Sequence, residues 1–91
     1  MPSKTITLIN KKGLHARAAA KLATIAGQYQ CQIQVRCLGG DTWVDGKSVM
    51  SLMLLAAACG TELELCAEGE DAPDALVAIG DLINDRFEEG E

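Results

Sequence analysis

The only histidine of this 91-residue chain, His15, has an arginine, Arg17, two positions later, in the segment Gly13-Leu14-His15-Ala16-Arg17. Imidazole attacks phosphorus through whichever ring nitrogen lacks a proton. A guanidinium binds phosphate oxygens in pairs. The segment lies where a polar loop, Asn10 to Gly13, passes into a helical pattern. A helix start carries unsatisfied backbone N–H groups and a partial positive charge, so the amides of Ala16, Arg17 and their neighbours make a ready anion site. Gly13 permits a tight backbone turn. Leu14 flanks the site as an apolar contact or a core anchor. The competing reading is a histidine that merely heads a helix beside a solvated arginine. From the residues alone, both readings stand.

A second candidate is Ser48, which opens the apolar run Val49 to Ala56. Serine is a preferred N-cap, and that role accounts for it fully. A phosphoryl group there would add negative charge beside Val49, Met50 and Met53, and would weaken any docking through those residues. The methionines suit either a core-facing stripe or a surface that binds several partners.

The chain carries a net charge of −5, unevenly spread. Six basic residues and no acidic one lie between Met1 and Gly40. Two basic and thirteen acidic residues follow. Lys11, Lys12, Arg17 and Lys21 crowd around His15, a field that attracts an anion or an acidic partner surface; Lys21 is counted among the docking residues for that reason. The acidic balance excludes a general nucleic-acid binder. No secretory signal is visible, and the run from Val49 to Cys59 is too short to span a bilayer, which points to a cytoplasmic protein off the membrane. The four cysteines, Cys31, Cys37, Cys59 and Cys66, have no CxxC spacing and a single histidine to join them, so no metal site is expected. Cys31 and Cys37 share parity with Ile33 and Val35 and read as small core residues.

Ninety-one residues make one domain, spanning 1–91, with a modest core. Lys4 to Ile9 alternates as a strand. From His15 to Gln28 the recurrence of Ala19, Leu22, Ala23 and Ala26 marks a helix with one buried face. Cys31 to Leu38 alternates again. Gly39 to Asp41 is a turn, Asp41 to Val44 a short returning strand, and Asp45-Gly46 a second turn. Ser48 to about Ala56 is a short helix, and Thr61 to Ala67 a strand with Leu63 and Leu65 inward. In the last helix Asp71 is the expected N-cap, with Pro73 in the first turn, Asp74 three residues on, and Leu76, Ile79, Ile83 and Phe87 along one face. The fold class is α+β, in the order β-α-β-β-α-β-α. It is an open-faced β-sandwich whose antiparallel four-stranded sheet is covered on one face by helices.

Three stretches in this order resemble the HPr family of histidine phosphocarriers of bacterial phosphotransferase systems. GLHARAAAKL is similar to its active-site signature, VDGKSVMSLMLLA to its regulatory-serine segment, and ELELCAEGEDAPDAL to its last strand and helix start. The resemblance implies that His15 accepts phosphate on Nδ1 and that Arg17 steadies the phosphoryl group. It implies that Ser48 is a kinase site in some members, and that Val49, Met50 and Met53 dock partners. It further implies a monomeric carrier rather than an enzyme, without cofactor. The donor is Enzyme I or its nitrogen-type paralogue, the acceptor an enzyme IIA, and an HPr kinase/phosphorylase a further partner. The family usually has proline after the arginine; here it is Ala18, which fits a helix and leaves one more N–H near the phosphate. NKKGLHAR and SVMSLMLLA look somewhat closer to the nitrogen-type regulatory carriers than to the sugar-transport type. The alternative is a regulatory adaptor acting mainly through phosphorylated Ser48, though such relatives typically lack the histidine.

Overall fold

A computed structural model describes residues 2–88. The elements are β1 (Ser3–Thr7), α1 (Ala16–Gly27), β2 (Gln32–Cys37), β3 (Val44–Asp45), α2 (Val49–Met53), β4 (Glu62–Glu68) and α3 (Ala72–Asn84), closed by a 3₁₀ turn over Arg86–Glu88. The strands form one antiparallel sheet in the order β1-β4-β2-β3. The alternation read from the sequence sets its two faces. Ile6, Ile33, Val35, Leu63, Leu65 and Ala67 point inward, and Ala18, Ala19, Leu22, Ala23 and Ala26 of α1 and Ala75, Leu76, Ile79 and Ile83 of α3 cover them. The alanine-rich face of α1 lets that helix lie close to the sheet.

The hairpin departs from expectation. The returning strand is Val44–Asp45, not Asp41 to Val44, with Val44 opposite Val35. Arg36 anchors the connecting loop. Its guanidinium donates to the Gly40 carbonyl at 3.1 Å, lies 4.5 Å from the Trp43 ring centre, and is paired with Glu64 at 2.6 Å. These contacts fix the loop over residues 40–43 through the Arg36 side chain. Asp45 then accepts from the Lys47 amide at 2.9 Å, a local turn bond that reverses the chain before α2.

Asp71 heads α3 but makes no side-chain cap. Its carboxylate accepts the Gln30 amide at 2.8 Å and the Cys31 amide at 2.9 Å. Those bonds hold the carboxyl below its ordinary range, the Gln30 amide contributing most. Cys31 is buried, and burial, with Asp71 beside it, raises its thiol. Phe87 does not continue the α3 face. It follows Arg86 into a left-handed turn, where backbone with φ near +50° carries the ring into the core. Among the described residues no helix is long and apolar enough to cross a membrane.

Candidate functional site

The loop from Asn10 to Leu14 is held on both sides. The Gly13 amide donates to the Asn10 carbonyl at 3.1 Å, and the Asn10 side-chain amide donates back to the Gly13 carbonyl at 2.7 Å. The Leu14 amide donates to the Ala57 carbonyl at 2.9 Å, which ties the loop to the segment after α2. Gly13 has φ +65°, and a Cβ there would stand 2.5 Å from the Ala57 oxygen. The glycine of Gly-Leu-His is therefore required twice, for its backbone angle and for its lack of volume.

His15 follows in an extended conformation (φ −78°, ψ 179°) as the N-cap residue of α1. Its carbonyl accepts the Ala19 amide at 2.8 Å, the first bond of the helix. Its side chain, half-buried, makes no capping bond to the first turn, and that turn has no acidic residue. Helix N–H groups and dipole are thus presented beside an imidazole. Arg17 is exposed one turn edge away, able to reach an anion held there. Ala18, where the resemblance implied proline, is fully buried against the core.

The other expected residues separate into two groups. Leu14 is only 4% exposed and belongs to the core, so it anchors the loop and offers no docking surface. Lys21 is engaged. Its ammonium donates to the Phe87 carbonyl at 2.6 Å and lies 3.6 Å from Glu88, binding α1 to the C-terminal turn. Ser48 is the N-cap of α2, and its hydroxyl accepts the Ser51 amide at 3.2 Å. Helix α2 ends at Met53, well short of Ala56, because Leu54 to Ala57 turn back towards the His15 loop with Ala56 at φ 49°.

That early end decides what the apolar run does. A five-residue helix can bury little, and only Leu52 is fully covered. Val49 packs partly against the core. Met50 is 77% exposed, Met53 43% and Leu54 80%. Leu54 was not singled out from the sequence. The available signal was a run with more large apolar residues than one short helix face can hide. Cys59 is exposed, Cys37 and Cys66 are half-buried, and the four cysteines form no disulfide with one another. Among the described residues no group of three metal-ligating side chains comes together.

Known proteins match nearly the whole chain in sequence and in fold. A family model described as "PTS HPr component phosphorylation site" matches residues 2–85. A phosphocarrier protein HPr of Pseudomonas aeruginosa is 55% identical over 91 residues, covering 100% of both chains. A phosphocarrier protein NPr of Shewanella violacea is 37% identical over 86 residues, covering 94% of this chain and 92% of the other. The crystal structure of HPr-C-His from Thermoanaerobacter tengcongensis superposes with a TM-score of 0.90 at 40% identity, covering 98% of each chain.

Proposed function

The chain belongs to the HPr family of phosphocarrier proteins, and we propose that it accepts a phosphoryl group on His15 from Enzyme I and passes it to an enzyme IIA. The observation that carries this reading is the start of α1. An imidazole stands there beside first-turn amides that its own side chain does not cap, with Arg17 exposed next to it. The lone pair of Nδ1 attacks phosphorus, and the bond from phosphorus to the donor breaks with its electron pair returning to the donor. The growing contact between phosphoryl oxygens and the helix start is stabilised by the amides of Ala16 and Arg17 and by the Arg17 guanidinium. The same steps run in reverse order when an acceptor nucleophile takes the group away. The imidazole is half-buried and Arg17 is exposed, so partner surfaces complete the site. Met50, Met53 and Leu54, with part of Val49, are the docking surface.

The test is incubation of the purified protein with phosphoenolpyruvate, Mg²⁺ and either Enzyme I or its nitrogen-type paralogue, read by mass spectrometry. One added phosphoryl group that is acid-labile, alkali-stable and absent from His15→Ala is the expected result. The faster donor assigns the relay to sugar uptake or to nitrogen-type regulation. A folded protein that gains nothing from either donor defeats the reading.

A further inference from the structure

Asn10 is the one polar residue among the described residues that is buried completely, at 0% exposure. A carboxamide taken out of water is costly unless its groups are bonded. Here its amide is committed to the backbone two residues before His15, donating to the Gly13 carbonyl at 2.7 Å. The Gly13 carbonyl and the Leu14 amide belong to the same peptide unit. Asn10 holds one end of that unit and the Ala57 carbonyl, at 2.9 Å, holds the other. The Leu14 side chain, fixed in the core, prevents the next residue from rolling. On the far side of His15 the backbone is already helical, tied by the Ala19 amide.

We infer that Asn10 is a positioning residue for phosphoryl transfer: it clamps the Gly13–Leu14 peptide and thereby sets the pose from which His15 receives the phosphoryl group. This rests on the reading of His15 as acceptor. With the backbone fixed before and after it, the place of the ring relative to that backbone is set by two side-chain torsions. A displacement of about 1 Å at a reacting atom can lower a rate on the order of a hundredfold. Loss of the Asn10 bond frees the peptide to rotate about its remaining tether, and the ring moves with it. The docking surface on α2 lies outside this clamp, so binding of the donor is unaffected.

The experiment measures phosphoryl transfer from phosphorylated Enzyme I to the full chain as a function of carrier concentration. It is run well below the melting temperature, with circular dichroism confirming the fold. Asn10→Ala is expected to lower kcat by about tenfold to a hundredfold while KM stays within about twofold. A folded Asn10→Ala that keeps the wild-type kcat overturns the inference, because a purely structural role would show only in the melting temperature. Asn10→Asp has the same shape and decides the matter if the alanine variant does not fold. Its carboxyl donates to Gly13 only when protonated, so kcat must fall as pH rises through that titration, relative to a wild-type profile that lacks the step. A ratio of the two profiles that is flat with pH overturns the inference. Failure of the wild-type chain to accept a phosphoryl group at all overturns the parent reading, and this one with it.

Discussion

Two helices of this protein begin with a residue able to carry phosphate, and they begin differently. Helix α2 starts on Ser48, whose hydroxyl already accepts the Ser51 amide. Helix α1 starts on His15, whose side chain makes no such bond, and its first turn contains no acid to neutralise the helix end. A capped start gains stability from its own side chain. A start left uncapped keeps its amides and its dipole available to an incoming anion. The longer helix, with its buried alanine and leucine face, can do without a cap because packing supports it. The five-residue α2 has a single fully buried side chain and depends more on its serine.

This contrast is broken most directly by exchanging the two side chains for alanine. His15→Ala is expected to abolish phosphoryl acceptance from Enzyme I entirely and to leave stability nearly unchanged, since it removes no cap; mass spectrometry and urea unfolding read the two effects. Ser48→Ala is expected to leave acceptance intact. Full phosphorylation of His15→Ala by Enzyme I would remove the basis for distinguishing the two helix starts.

The next effect in size is that of Arg17. Hydrogen bonds to charged groups are worth about 1.5–3 kcal/mol, so Arg17→Ala should slow transfer in at least one direction by roughly ten- to a hundredfold. Arg17→Lys should recover only part of it, because a single ammonium cannot make the paired contact. Rapid-quench measurement of both directions checks this. Equal rates for all three proteins would mean that the helix start alone handles the phosphoryl group.

Much of this arrangement was legible in the sequence. Alternation gave the inward faces of β2 and β4 because a half-buried strand must repeat every two residues. The alanine and leucine spacing marked the buried face of α1, and Gly-Leu-His-Ala-Arg marked the loop-to-helix junction at its start. What escaped was long-range. Asp71 has the local pattern of an N-cap, yet its carboxylate serves two amides some forty residues earlier in the chain. Trp43 sits in a segment that looks extended, yet the strand begins only at Val44, and the Trp43 ring is met by the Arg36 guanidinium. Leu14 has the composition of a docking residue and the environment of a core one. In each case a tertiary partner, invisible to periodicity, overrides the local preference.

Ser48 sharpens the comparison at the scale of a cap. Ser48→Ala should cost about 1 kcal/mol in urea unfolding, the usual value for a lost N-cap oxygen. Aspartate caps about as well as serine, so Ser48→Asp should cost less than Ser48→Ala. It nevertheless brings negative charge next to Met50 and Met53, and should weaken binding to a docking partner by about tenfold in titration calorimetry. Stability and docking thus respond in opposite order to the two variants. If they fell together, α2 would have to be read as core rather than as a binding surface.

Helix α3 supplies the third start, and the smallest effect. Its Asp71 carboxyl is capped by the amides of Gln30 and Cys31, and its affinity for protons is lower in the folded chain than the ordinary carboxylate value of 3.8. A group whose folded value is depressed stabilises the fold in its ionised form. That contribution is present in full above pH 3.8 and is lost as pH falls through the lower folded value, because the unfolded chain takes up the proton first. Asp71→Asn keeps the shape and an acceptor oxygen but cannot titrate. Its stability should lie below that of the parent at neutral pH, and the gap should close as the pH is lowered past 3.8. The carboxylate ties the end of α1 to the start of α3, on the side away from His15, so phosphoryl acceptance at neutral pH should be the same in both proteins. Urea unfolding across the acid range measures the gap. A constant difference at every pH would mean that Asp71 holds the α1–β2 connection through hydrogen-bond geometry alone and not through its charge.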